Sequence, residues 1–126
     1  MDKFCYIKNN SLQIEYKYFK LLNAEKESNH DAIIAHISSQ IDVLLESRPQ
    51  VKVNIDMSLF NLIHLDKYYE FIKKTVNYFS VNYVDKLDKC YLWHSPMMLN
   101  GLIKMLSKFL DKDTIGKIVL HQEIYP

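Results

Sequence analysis

His30, His36, His64, His94 and His121 are the side chains most open to metal or acid–base chemistry. No two of them stand at the i, i+4 spacing that puts a pair of imidazoles on one helical face. No His-Glu-x-x-His occurs either, so no metal site is expected, and surface or loop positions account for them. His94 and Ser95 are adjacent, but neighbouring side chains point apart. Without a Gly-x-Ser-x-Gly elbow no acyl-transfer nucleophile is built, and helix capping explains Ser95. The only glycines are Gly101 and Gly116, too few for a phosphate-cradling loop. Asp56 ends an apolar strand, a place where enzymes often keep a base or a metal ligand. It has no partner carboxylate, and a strand-end turn or capping role fits it better. Cys5 and Cys90 lack Cys-x-x-Cys spacing and read as buried thiols in a reducing compartment. No nucleophile–base pair or cofactor motif can be assembled, so neither an enzyme nor a cofactor is expected.

The other candidate is apolar. Met97, Met98, Leu102, Met105, Leu106 and Phe109 form a stripe at helical spacing. Methionine adapts to irregular apolar ligands, so the stripe could line a lipid cavity. Pattern alone favours an ordinary core, because a filled core and a lipid-filled cavity need the same side chains.

The elements that must position these residues alternate along the chain. Phe4 to Ile7 reads as a strand and Lys8 to Ser11 as a turn. Leu12 to Phe19 reads as a half-exposed strand through Leu12, Ile14, Tyr16 and Tyr18. Asn23 to Asn29 is a loop. A helix starts near Asn29 or Asp31, with Ala32, Ile33, His36, Ile37, Ile41, Leu44 and Leu45 on its apolar side, and stops at Arg48-Pro49-Gln50. Val51 to Asp56 is a β-branched strand. Met57 to Leu65 crosses to a second helix, Asp66 to Tyr83, whose apolar side takes Tyr69, Phe71 or Ile72, Val76, Phe79 and Val81. Lys89 to His94 is a strand, and Ser95-Pro96 caps a helix from Met97 to about Leu110. Asp111 to Thr114 turns into a last strand, Ile115 to Leu120. The order β-β-α-β-α-β-α-β predicts a single α/β domain, a mixed sheet of about five strands with right-handed crossovers. Binding sites in such sheets tend to lie beyond the strand carboxyl ends, here Asp56, His94-Ser95-Pro96 and His121.

The chain has 126 residues, the size of one domain, residues 1–126. Its net charge of +1 offers no field for nucleic acid, so no nucleic-acid partner is expected. No apolar run reaches the ~20 residues of a membrane span. The start Met1-Asp2-Lys3-Phe4-Cys5 lacks a signal-peptide apolar region, and a cytoplasmic protein, peripheral at membranes, is expected.

Three stretches carry a resemblance. Val53-Asn54-Ile55-Asp56-Met57-Ser58 resembles a strand ending in Asp and a small turn. Tyr83-Val84-Asp85-Lys86-Leu87, followed by a strand and His94-Ser95-Pro96, resembles Tyr-Pro-Glu-Arg-Leu, strand, Asn-Ala-Pro. Lys108-Phe109-Leu110, a turn, then Lys117-Ile118 resembles Lys-Pro-Phe-Leu, turn, Lys-Ile. With this spacing kept from residue 51 to residue 120, the sequence is similar to the CRAL/TRIO lipid-binding domain family of phosphatidylinositol-transfer and α-tocopherol-transfer proteins. Residues 1–50 fit in outline only. Val84 replaces a Pro, His94 and Ser95 replace Asn and Ala, and Phe109 stands where Pro is common. Typical members continue into a segment that helps close the lipid pocket and carry an N-terminal helical module. Both are expected to be missing, leaving the pocket open, reduced or lost.

In phosphoinositide-binding members, the residues matching Asp85, Lys86, Thr114 and Lys117 hold the headgroup. The resemblance therefore implies that the two lysines neutralise phosphate, Thr114 donates a hydrogen bond and Asp85 accepts from inositol hydroxyls. Their plain alternative is surface residues at two helix–strand junctions. The resemblance implies a non-catalytic module for binding or transferring a phospholipid. A second reading is a minimal scaffold, like relatives of the BCH type, for a protein partner or homodimer through Tyr68, Tyr69 or Tyr78. A third is a STAS-like regulatory domain, although Leu65-Asp66-Lys67 stands where that family has its phospho-acceptor Asp-Ser-Ser-Gly.

Overall fold

The computed structural model describes residues 1–61, 63–94 and 100–121, with the backbone alone at 100 and 102. Strand β1 (Cys5–Lys8) pairs antiparallel with β2 (Ser11–Glu15) across Asn9 and Asn10, which stand at φ 53° and 61°. A tight hairpin turn of this kind needs positive φ at both central residues, and asparagine tolerates it best after glycine. Helix α1 (His30–Leu45) and strand β3 (Val51–Asp56) follow. Then come α2 (Ile63–Lys67), α3 (Tyr69–Asn82), β4 (Leu87–Trp93), α4 (Asn100–Leu106), α5 (Lys112–Ile115) and β5 (Ile118–Leu120). The five strands form one mixed sheet in the order β1-β2-β3-β4-β5, with β2 through β5 parallel.

This order decides where the helices go. Each parallel crossover moves one strand further in the same direction, so crossovers of one hand deliver every helix to the same face. The register lines up Leu12, Val53, Cys90 and Ile118 in one row, and Ile14, Ile55, Leu92 and Leu120 in another. These alternate residues form the aliphatic face that the helices cover, except at Leu120 on the edge strand, which is exposed. Gln13, Asn54, Tyr91 and Val119 form the intervening row on the opposite face. There Trp93 Nε1 donates to Asn54 Oδ1 at 2.8 Å, and the Trp93 ring stacks on His121 at 4.3 Å.

The covered face carries two apolar clusters of unequal quality. The first, under α1 and α3, is a dry core around Cys5, Leu12, Ile33, Ile37, Val51 and Phe71. The second lies where α2 and α4 meet β3 to β5. Among the described residues Met57 and Leu92 are buried in it, and Ile55, Phe60, Leu65, Cys90, Ile103, Met105, Leu106 and Ile118 pack partly buried against them.

Several sequence expectations are corrected. The second strand ends at Glu15. Tyr16–Leu22 is a 3-10 segment that turns Phe19 into the core, so the alternation of Tyr16 and Tyr18 does not continue a strand. The second helix begins at Ile63 and breaks at Tyr68, giving α2 and α3. Tyr68, expected on an exposed interface, is 3% exposed, because Phe19 packs edge-on to it at 4.7 Å. Val81, expected on the apolar side of α3, is exposed, as is Ala32 on α1, whose apolar side takes Ile34 instead. Helix α4 ends at Leu106, and Ser107 to Phe109 form turns. Residues 95–99, including Ser95, Pro96, Met97 and Met98, lie outside the described residues. Ile115 closes the helical turn of α5, so the last strand is only Ile118–Leu120. No described helix is long and apolar enough to cross a membrane.

Candidate functional site

The four polar residues sit at the amino ends of parallel strands, not at the carboxyl ends. Asp85 stands at φ 59° in the turn after α3, a conformation that a short polar side chain accepts. Its carbonyl takes a hydrogen bond from Gln50 Nε2 at 3.1 Å. The Lys86 amide donates to Tyr83 O, and its carbonyl accepts from the Val51 amide at 2.8 Å, which opens β4 beside β3. Both side chains point into solvent. At the other junction, Asp111 caps α5 by accepting from the Thr114 amide at 2.7 Å. The Thr114 amide and hydroxyl, and the Lys117 charge, hold the Asp111 carboxyl below its ordinary value. The Lys117 carbonyl accepts from the Cys90 amide at 2.9 Å, and its ammonium lies 3.6 Å from Asp113.

Leu87 follows Lys86 and pairs with Val51, while Ile118 follows Lys117 and pairs with Cys90. The two junctions therefore share one end of the sheet, offset by three residues of β4, about 10 Å at the rise of a strand. Among the described residues no hydrogen bond or ion pair joins Asp85 or Lys86 to Thr114 or Lys117. Each member of the second pair is instead engaged by an acid, Asp111 or Asp113. In the Lys117–Asp113 pair the lysine side chain is 19% and the carboxylate 77% exposed, so an arriving phosphate would displace a largely solvated Asp113.

The apolar set is only partly as expected. Met105 and Leu106 pack, partly buried, against Met57 and Leu92 in the second cluster. Phe109 is half-buried outside it, and the Leu102 side chain is outside the described atoms. The cluster members that sequence reasoning did not single out come from the sheet and from the β3–α2 segment: Ile55, Cys90, Ile118, Phe60, Leu65, with Ile103 from α4. Period-2 alternation marks Ile55, Cys90 and Ile118, but only the register brings them under one helix. This cluster adjoins the polar junction directly, because Ile118 is the residue after Lys117. Two surface hollows lie elsewhere. One of about 370 Å³ is charged, with Glu25, Glu27, Glu70, Lys73 and Lys74 around His30, and suits no acyl chain. The other, about 290 Å³, is at the amino terminus beside Phe4 and Tyr18.

His30 and His36 brace the fold from within and do not sit on the surface as expected. His30 is buried, its Nε2 2.7 Å from Ala24 O, and His36 Nε2 is 2.9 Å from Cys5 O. Imidazole nitrogens here serve carbonyls that no strand or helix partner reaches. His94 alone is exposed, at φ 54°. Among the described residues no group of three His, Cys, Asp or Glu side chains could hold a metal ion. Asp56 Oδ1 accepts from the Ser58 amide at 3.0 Å and the Ser58 hydroxyl at 2.6 Å, a turn-building role. Burial pushes the thiols of Cys5 and Cys90 up to about 12, so neither is a thiolate at neutral pH.

Tyr16 Oη and His64 Nδ1 are 2.6 Å apart. Burial, then Tyr68, pushes the Tyr16 hydroxyl up, so it keeps its proton and donates to a neutral His64. Burial, then Lys20 and Lys67, hold His64 below its ordinary 6.5. The unfolded chain therefore takes this proton first. The stability His64 contributes is complete above 6.5 and is lost as pH falls through the lower folded value. The urea midpoint is expected to fall between neutral pH and about pH 5, with a shallower fall in His64→Gln. An equal slope in the two proteins would remove His64 as the cause.

The sequence matches the CRAL/TRIO domain over residues 5–125. Among solved structures it is similar to one titled "Crystal structure of Sfh5", with a TM-score of 0.74 and 15% identity. The match covers 94% of this chain and 46% of that one, so this chain spans under half of that structure's length. At this identity the likeness speaks for the fold. No curated protein matches the sequence significantly.

Proposed function

Because the chain belongs to the CRAL/TRIO domain family, whose members bind lipophilic ligands, we propose that it binds a phospholipid without catalysis. Its acyl part would lie in the slot between α4 and the sheet, and its phosphate at Lys86 and Lys117, with Thr114 and Asp85 beside them. The observation that carries this reading is the contrast between the two clusters. Among the described residues the first cluster buries thirteen side chains with ten more partly buried around them, whereas the second buries two, Met57 and Leu92, with eight partly buried around them. An apolar chain laid among them would gain about 25 cal/mol for each Å² taken from water. The adjoining lysines would then select an anionic headgroup. Phosphoinositides fit best, since Asp85 and Thr114 supply an acceptor and a donor for inositol hydroxyls.

Met105→Trp tests the slot. Met105 packs partly buried against Met57 and Leu92, so in an open slot an indole would fill the lipid's place without the ~1–3 kcal/mol strain of an overpacked core. Binding of a fluorescent phospholipid is expected to drop by about tenfold or more while the melting temperature holds. Unchanged binding, or a collapse of stability, would show a filled core there. Cys90 gives a second readout, since it lines the same slot. Its reaction with an aromatic disulfide reagent is expected to be slow in the native protein and slower still with lipid bound.

A further inference from the structure

The segment joining β3 to α2 carries two apolar side chains that the fold does not use. Leu59 is 74% exposed at φ 69°, and Ile63 is 79% exposed at the start of α2. A leucine in the left-handed region suffers crowding between Cβ and carbonyl that asparagine or glycine would relieve. No burial offsets that strain. The turn that holds it is nevertheless well made. The Asp56 carboxylate accepts from Ser58 twice, the Phe60 amide donates to Met57 O at 3.0 Å, and the Ile63 amide donates to Asn61 Oδ1 at 3.0 Å. The exposure of Leu59 thus belongs to a turn closed by Asp56, Met57, Ser58 and Phe60. Phe60 and Leu65 of the same segment turn inward to the slot, and Phe60 also packs edge-on to Tyr16 at 5.1 Å.

Lys67 follows Ile63 by four residues, about one turn along α2. The Lys67 ammonium lies 5.4 Å over the Tyr68 ring, which is 6.0 Å from His64. Lys20 lies on the 3-10 segment Tyr16–Leu22, whose Tyr16 hydroxyl is 2.6 Å from the same imidazole. Of the nearby acids, Asp56 is committed to Ser58, and Asp66 is exposed on α2.

We infer that this turn docks on an anionic membrane surface, with Leu59 and Ile63 entering the headgroup–acyl boundary while Lys20 and Lys67 meet lipid phosphates. Two protruding aliphatic tips beside lysines suit a bilayer interface, which takes apolar points and rewards basic neighbours. A protein hot spot would instead centre on an aromatic or arginine anchor in a pocket, and neither tip is one. The inference goes beyond the slot, since it depends on the turn alone and not on a lipid held beneath α4. It also gives the slot a direction, because Phe60 and Leu65 would face it from the membrane side.

The test is co-sedimentation with vesicles of phosphatidylcholine alone and of phosphatidylcholine mixed with phosphatidylserine. The unmodified chain is expected to bind the mixed vesicles, more weakly as salt rises. Leu59→Asn, which relieves the strained backbone, and Ile63→Ser should each weaken binding on the order of tenfold, with melting temperatures at or above the parent's. Lys20→Glu with Lys67→Glu should abolish the preference for the anionic vesicles. Ile63→Trp should blue-shift its emission on the mixed vesicles. Failure of the unmodified chain to bind, equal binding by the Leu59 and Ile63 variants, or unshifted tryptophan emission would each overturn the inference. The last outcome would hand the turn to a protein partner. Lipid co-purifying with Leu59→Asn at the parent's level would separate loss of docking from loss of the slot.

Discussion

Replacing Phe19 with alanine is expected to cost about 3–5 kcal/mol, enough to unfold much of a domain whose total stability is on the order of 5–15 kcal/mol. Phe19 is 5% exposed and joins four other rings: Phe4 at 5.5 Å, Tyr16 at 5.7 Å, Tyr68 at 4.7 Å and Phe71 at 5.2 Å. Three of the contacts are edge-on, the geometry favoured by the ring quadrupoles. The ring also links the hairpin, through Phe4, to α3, through Phe71. Its loss would open a cavity walled by rigid aromatics, which relax poorly, so the cost should fall high in the range for the change. Urea unfolding followed by circular dichroism measures it. Val81→Ala is the control, 75% exposed and expected to shift stability by less than about 0.5 kcal/mol. A Phe19→Ala protein within about 1 kcal/mol of the parent would mean that the 3-10 segment does not seat this ring in the core.

The second large effect concerns the headgroup. Lys86→Glu combined with Lys117→Glu is expected to weaken binding to phosphoinositide vesicles by roughly 100-fold, about tenfold for each charge-assisted hydrogen bond lost. The fold should hardly notice. Lys86 is exposed, and the Lys117–Asp113 pair is an i, i+4 contact worth less than about 1 kcal/mol. Lys117→Glu alone also sets a third carboxylate beside Asp111 and Asp113, so it should account for more than half of the loss on a logarithmic scale. Binding and melting temperature measured on the same preparations separate the two effects. A double variant that binds phosphoinositide vesicles like the parent would return these residues to ordinary surface positions at two helix–strand junctions.

The parts of the fold that were legible in the sequence are those where local chemistry and tertiary packing agree. Val51–Asp56 is β-branched at alternate positions and follows Pro49, and it forms β3 as bounded. The Asn9-Asn10 turn names its own hairpin. Ile33, Ile37, Ile41 and Leu44 recur on one face of α1 and are buried together. What was hidden depends on contacts between distant segments. Leu12, Ile14, Tyr16 and Tyr18 alternate like a strand, yet the chain turns at Tyr16 because Phe19 has a core site to fill. Nothing in Asp66-Lys67-Tyr68-Tyr69 breaks a helix, and the break at Tyr68 accompanies the burial of its ring against Phe19. The slot was half legible. Helical spacing marks Met105 and Leu106, but the opposing wall of Ile55, Cys90 and Ile118 exists only once the register of three parallel strands is set. Leu59 was invisible for the opposite reason, since leucine is among the residues least expected at positive φ.

A lipid held between α4 and the sheet can be weighed directly. Native mass spectrometry of the protein purified from cells, followed by organic extraction, is expected to show about one phospholipid per chain, and Met105→Trp prepared in the same way should fly bare. A bare mass for the unaltered protein, with nothing in the organic phase, would contradict a working slot. If that bare species were a dimer, the domain would instead be a scaffold that pairs with its own kind.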